Sequence, residues 1–362
     1  IGVQYVASFG LIIGATFMYL QNYYMQNTPL GYDKDEIIIT NMNNNIRKSR
    51  DAFASQVKSF SGIEEVTYAE MLLSSQDQYM GWGRKYRDKD IQFQCLPVEP
   101  SFLKVMNVKI SEGRDFREED KAKRYGTFVF NERARTEYGL EIGSLIDSME
   151  IVGFMPDVKF ASFRTEVTPM AFFVWGTNNW GNQPNYAYIK VKAGSDLRGA
   201  MQHVKTTLQS FDPEYPFNVR FFDEVFNGLY EKERSLSSLI TLFSLIAIFI
   251  SVVGVFGLVV FDSEYRKKEI GIRKVLGSTT EEIIVMFNKT YIRILCVCFV
   301  LGAPIAGYVV HRWLENFAYK TPMYWWVYLI AFAIIAVITI LTVTFQNWRA
   351  ANENPVHSIK NE

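Results

Sequence analysis

Residues 236 to 261 hold no charged side chain, and a run of this length fits the roughly 30 Å hydrocarbon core of a bilayer. A buried helix of a soluble domain is the alternative, but such helices seldom exceed about 20 residues and usually carry a polar face. Three further apolar runs occupy 3 to 20, 291 to 310 and 325 to 345. The third run in chain order contains Arg293 and Pro304; a bundle tolerates both where the charge snorkels and neighbouring helices satisfy the freed carbonyl. We therefore read four membrane crossings, with segments 1–24, 236–261, 284–311 and 324–346.

The cations give the orientation. Arg266, Lys267, Lys268, Arg273 and Lys274 crowd between the second and third runs, whereas the next connection holds only Arg312 and Lys320. Positive charge marks the cytoplasmic side, so 262–283 and the tail 347–362 lie inside and 25–230 lies outside. Tyr19, Tyr23, Tyr24, Trp313, Trp325 and Trp326 fall where an aromatic belt would anchor the spans. The chain opens at Ile1 directly into a span, which reads as a piece of something longer rather than as a signal peptide.

The outer segment is long enough to bury a core of its own. Strand-like 36 to 40, an amphipathic helix over 45 to 60 and a strand at 63 to 72 form one β-α-β unit. The same order returns as 185 to 191, a helix over 195 to 211 with Ser195 as its cap, and 217 to 222. Between them, 75 to 180 holds strand-like pieces at 91 to 98, 126 to 131, 149 to 155 and 170 to 175, with a short helix near 131 to 139. The expected fold is a membrane α-helical bundle of four transmembrane helices with an extracytoplasmic, two-lobed α+β domain inserted between helices 1 and 2.

Catalytic and ligand signals are sparse. The net charge is zero, which gives no footprint for nucleic acid. Cys95 stands alone in the outer segment and reads as a small buried hydrophobe, while Cys296 and Cys298 share a span, so no disulfide framework is expected. The three histidines are scattered, no phosphate-binding P-loop is present, and the acidic run at 118 to 120 reads as a solvated turn or helix start. No cofactor, metal or catalytic residue is expected.

The basic stretch is more than an orientation mark. Ile270, Ile272, Val275 and Leu276 recur at near-helical spacing, with charged residues on the other sides, which describes a short amphipathic helix near the membrane surface. Gly277 suits the left-handed residue that ends a helix. Ser278 with Glu281, or Thr279 with Glu282, can form the capping box that starts the next one.

This segment, "RKKEIGIRKVLGST", resembles the cytoplasmic signature of FtsX/MacB-type permeases of ABC transporters. The outer stretches 98 to 116, 129 to 139 and 151 to 173 are similar to the MacB-like periplasmic core domain of that family. Residues 222 to 251 resemble its stalk and second span, and 353 to 362 its close. Val275 and Ser278 stand where alanine is commoner in the family. The resemblance implies a permease in the bacterial inner membrane, itself no enzyme, that docks a separate ABC ATP-binding subunit. It implies that Glu269, Gly271, Ile272, Arg273, Lys274, Leu276 and Gly277 form the coupling helix. It also implies transmission of ATP-driven motion through the stalk extensions 21–27 and 226–235 to the periplasmic domain. A second permease half or a homodimer, a periplasmic adaptor and the lipid bilayer are the implied partners, and nucleic acid is not among them. The family includes tandem permeases, of which this chain would be the C-terminal half. Drugs, peptides and lipoproteins are all cargo of relatives, and the outer lobes carry no residue pattern that selects among them. From the topology alone, a membrane sensor with an outer ligand-binding domain is the competing reading; its weakness is that the longest cytoplasmic piece is too short for a signalling module.

Overall fold

A computed structural model of the chain describes residues 2–74, 80–159, 162–178, 183–265, 269, 272–273 and 276–351. It divides into two compact units, 28–231 and the combination of 1–27 with 232–362.

In the second of these units, α1 (Gly2–Asn27), α8 (Glu231–Tyr265), α9 (Thr280–Leu314) and α10 (Trp325–Ala351) are each long and apolar enough to cross a membrane. α1, α9 and α10 share a core in which Phe9 meets Phe299 edge-on at 5.1 Å and stacks at 6.4 Å on Phe332. Gln21 clasps the α9–α10 connection: its Nε2 donates to the Tyr319 carbonyl at 3.1 Å, and the Thr321 amide donates to its Oε1 at 2.8 Å. Both polar ends of this buried side chain are thereby satisfied, as an apolar surround demands. α8 is the least enclosed of the four. It meets α1 at a polar point, Ser8 against Ser251 at 2.8 Å, while a Cβ on Gly254 would fall 2.6 Å from Gln4 Oε1. α9 runs through Pro304 without interruption, and Arg293 is exposed on its surface.

The 28–231 unit is an α+β domain of two lobes. In the first, β1 (Ile37–Asn41), β2 (Ile63–Ala69), β10 (Tyr186–Val191) and β11 (Arg220–Phe221) form an antiparallel sheet in the order β11-β1-β10-β2. The two β-α-β units are thus not side by side; strand β10 of the second lies between β1 and β2 of the first. This is the split β-α-β arrangement. Helices α2 (Asn44–Lys48), α3 (Arg50–Val57) and α6 (Leu197–Phe211) cover the sheet, burying Ile46, Phe53, Val57, Ala200, Val204 and Leu208.

Local chemistry shifts some element ends from those the sequence suggests. The helix expected over 45 to 60 is two helices, because Ser49 leaves the helical region at φ −118°, ψ 32°. Asp196, not Ser195, caps α6: its Oδ1 accepts from the amides of Arg198 at 3.1 Å and Gly199 at 3.0 Å. Strand 217 to 222 shrinks to two residues, since Phe222 already opens α7 (Phe222–Gly228). The extension 21–27 continues α1, whereas 226–235 is divided between α7 and the start of α8.

The second lobe is a sheet of seven strands: β3 (Met80–Tyr86), β4 (Lys89–Pro97), β5 (Glu112–Gly113), β6 (Thr127–Asn131), β7 (Leu145–Ile146), β8 (Met149–Met155) and β9 (Met170–Val174). Their order is β3-β4-β9-β6-β8-β5, with β7 also on β8. Phe93, Phe128, Phe130 and Phe173 form its aromatic core, with α5 (Glu132–Tyr138) packed alongside. Cys95 is fully buried and its thiol donates to the Met80 carbonyl at 3.4 Å; burial pushes its pKa up, which suits an inert thiol.

The lobes are joined by more than chain crossings. After β4 the chain moves to the edge of the first sheet, where the Glu99 amide donates to the Tyr68 carbonyl at 3.0 Å. The Glu99 carboxylate takes Arg50 of the first lobe at 2.7 Å and Lys121 of the second at 2.5 Å. Phe102, on the short helix α4 (Phe102–Val105), is wholly buried between Phe172 of β9 and Tyr188 of β10.

Candidate functional site

The connection between α8 and α9 carries the residues singled out for coupling. Gly271 and Lys274 lie outside the described residues, as do Arg266, Lys267, Lys268, Ile270 and Val275. Glu269, Ile272 and Arg273 are helical, and the Arg273 guanidinium donates back to Glu269 Oε1 at 2.9 Å, a one-turn pair worth about 0.3–0.5 kcal/mol.

Backbone chemistry ends this helical stretch. The Leu276 amide donates to the Ile272 carbonyl at 2.9 Å, and the Ser278 amide reaches back to the Arg273 carbonyl at 2.9 Å. Between them Gly277 sits at φ +94°, a conformation that side-chain-bearing residues rarely adopt. The longer bond over a left-handed glycine is the Schellman stop. Of the two possible capping boxes, the chain uses Thr279 with Glu282. The Glu282 amide donates to Thr279 Oγ1 at 3.3 Å, and the Thr279 amide donates to Glu282 Oε2 at 3.1 Å, which starts α9.

These two stops separate the stretch from α9, and its described apolar side chains are in the open. Ile272 is 49% and Leu276 80% exposed. Exposed apolar side chains beside the Glu269–Arg273 pair make a surface suited to docking, with an apolar centre and a charged edge. They bring no acid–base pair together. Among the described residues no group of three or more His, Cys, Asp or Glu side chains comes within metal-holding reach.

The acidic run of the outer domain is partly other than its sequence suggests. Glu118 opens a 3₁₀ turn (Glu118–Ala122) and is exposed, but Asp120 is only 1% exposed. Arg114 grips it with two parallel hydrogen bonds of 2.8 Å each, and the Arg117 amide adds a third at 2.8 Å. Burial alone would raise the Asp120 pKa; the Arg114 and Arg117 hydrogen bonds and the charges of Arg114 and Lys123 outweigh it and hold the carboxyl below its ordinary value. This is a structural ion pair, far in sequence from the α8–α9 connection.

Four span-length helices, a two-lobed α+β domain and a capped connection between α8 and α9 are the features of a multi-pass membrane protein. A family model described as the MacB-like periplasmic core domain matches residues 6–207, and one described as the FtsX-like permease C-terminal region matches 241–355. The chain belongs to this FtsX/MacB-type family of ABC transporter permeases. Curated relatives include the macrolide export ATP-binding/permease protein MacB of Chromobacterium violaceum, 23% identical over 230 residues, which cover 60% of this chain and 35% of the relative. The protein of the same name from Escherichia coli K12 is 22% identical over 233 residues, with the same coverage. The chain thus spans about a third of the length of these relatives, 35% in each case. Among solved structures, the periplasmic region of MacB from Actinobacillus actinomycetemcomitans is similar at 13% identity and a TM-score of 0.40, covering 57% of this chain and 98% of that one. The extracellular domain of the noncanonic ABC-type transporter YknZ from Gram-positive bacteria is similar at 11% identity and a TM-score of 0.36, covering 51% and 99%.

Proposed function

We infer that this chain is the part of an ABC transporter in the cytoplasmic membrane that converts ATP-driven motion at the α8–α9 connection into motion of an outer, periplasmic domain. The work done is export or extraction of a substrate such as a drug, peptide or lipoprotein. The observation that carries this reading is the connection itself: a helical stretch stopped at Gly277, separated by a capping box from α9, and presenting Ile272, Leu276 and the Glu269–Arg273 pair outward. A mere orientation signal needs cations and no defined stops. The relatives are named ATP-binding/permease proteins, so the ATPase engaged here is either a separate subunit or another part of the same polypeptide. Glu269, Gly271, Ile272, Arg273, Lys274, Leu276 and Gly277 are the residues proposed to meet it.

The test is Leu276→Asp, with Arg273→Glu beside it and Lys320→Glu as a control on the other side of the membrane. Leu276 is too exposed for its loss to disturb the fold by more than about 0.5 kcal/mol. Removing an apolar anchor from an interface costs on the order of 2 kcal/mol, so co-purification with the ATPase should weaken more than tenfold. Transport-coupled ATP hydrolysis should fall with it. Wild-type association and activity in both variants would reduce the stretch to an orientation signal. The topology has its own check: a reporter placed at 277 should be shielded inside intact cells, and one placed at 126 accessible from outside. The reverse labelling removes the assignment of sides.

A further inference from the structure

We propose that the outward face of the β3–β4 hairpin in the second lobe is a binding site for a neutral, polyhydroxylated ligand, a sugar residue of a glycan. Gly81 and Gly83 occupy alternate positions of β3, pointing to the same face, with Gln94 and Gln92 directly opposite them on β4. Neither glycine is among those with positive φ, and a Cβ built on either meets nothing within 4 Å. Neither backbone conformation nor packing calls for glycine there. Each glycine nevertheless weakens the strand, by about 0.5–1 kcal/mol relative to alanine. Glycine within a strand marks a place where a ligand or another backbone comes close.

The space above them supports that reading. An open cleft of about 530 Å³ lies over the two glycines, walled by Gln92, Gln94, Tyr138 and Thr168. That volume lies within the range of small-molecule sites. Tyr138 is fixed in the wall because its hydroxyl donates to the Gln92 carbonyl at 2.6 Å. Among the described residues the lining contains no charged side chain, so an ionic ligand finds no counter-charge there. An apolar ligand would strip water from two carboxamides and two hydroxyls without returning a hydrogen bond. A sugar returns them: each carboxamide offers a donor and an acceptor side by side, which match adjacent hydroxyls of a ring, the Thr168 hydroxyl can do either, and the Tyr138 hydroxyl, which already donates to Gln92, can accept. The bare glycine floor lets the flat C–H face of the ring rest on the strand backbone. An extended peptide gains its main-chain bonds at the edge of a sheet and not on its face.

The experiment is a titration of the full chain, in a detergent without a sugar headgroup, with maltotetraose and with tetra-N-acetylchitotetraose, followed by saturation-transfer NMR and calorimetry. Saturable binding of at least one of them is expected. Gly83→Val should weaken it at least tenfold by filling the floor, while leaving the thermal midpoint equal or higher, since valine suits a strand better than glycine. Gln92→Ala combined with Gln94→Ala should weaken it similarly. Absence of saturable binding, or equal binding by wild type and Gly83→Val, overturns the proposal. So does a neutral peptide that binds where the saccharides do not and is lost in Gly83→Val.

Discussion

Arg114→Leu is expected to lower the unfolding free energy of the outer domain by about 3–5 kcal/mol, the cost of leaving a buried carboxylate without its partner. Arg114 supplies both of the parallel bonds to Asp120, and the remaining contacts are the Arg117 amide and Lys123 at 3.5 Å. In a domain of this size each kcal/mol moves the thermal midpoint by roughly 2–4 °C, so a fall of about 10 °C should be measured by calorimetry at neutral pH. The pH dependence separates this cause from lost packing. In the wild type the Asp120 pKa lies below the unfolded value of about 3.9, so its contribution is present above that pH and is lost as pH falls through the folded pKa. In the variant, burial without Arg114 pushes the other way. The deficit should therefore be greatest at neutral pH and shrink as Asp120 is protonated on acidification. A deficit independent of pH between 3 and 7 would mean that the pair is not what Arg114 contributes.

The second large effect is expected from Phe102→Ala, at about 3–5 kcal/mol for a wholly buried aromatic ring. The ring lies 5.7 Å from Phe172 and 5.1 Å from Tyr188, so its removal opens a cavity at the junction of the two sheets. The consequence reaches beyond the midpoint. With this plug gone, Glu99 and the Ser101–Thr67 hydroxyl pair remain as side-chain links, and the lobes should melt as two transitions where the wild type shows one. A single sharp transition in the variant would show that the backbone links between 68–70 and 97–99 and the remaining side-chain links suffice to keep them cooperative.

Much of the fold is legible in the chain because it rests on local signals. The spans are continuous apolar runs, and β6, β8 and β9 are buried strands that read as near-continuous apolar stretches. Partnership between strands is another matter. Nothing in residues 37 to 41 says that their neighbours lie at 186 to 191 and 220 to 221, because pairing follows the sum of distant contacts. Caps were open to the extent that neighbouring residues compete: Ser195 and Asp196 are both good caps, and geometry chose the carboxylate. In the same way the sequence offers two capping boxes at α9, and only the backbone angles select Thr279. In the α8–α9 connection the glycine stop was readable from Gly277, whereas the outward aim of Ile272 and Leu276 depends on what surrounds them. Asp120 shows the limit from the other side. A Glu-Glu-Asp run has the composition of a solvated turn, and the partner that buries its last member lies six residues upstream on a different turn of the chain. The cleft over Gly81 and Gly83 had one signal, glycine at alternate positions of a strand, which gains meaning only when the space above is known to be empty.

The split sheet also sets an order of events during synthesis. Among the described residues, the sheet partners of strand β1 are β10, about 150 residues further along the chain, and β11, about 180 residues further. The whole second lobe, by contrast, is one contiguous insert between β2 and β10, and its sheet can pair as soon as β9 has emerged. Non-local pairings of this kind close slowly, because loop entropy must be lost before the contacts form. The later lobe to be completed is therefore the one that began first. Until β10 arrives, β1 and β2 are apolar strands with open edges, the state in which nascent chains aggregate and in which a holding chaperone has most to protect.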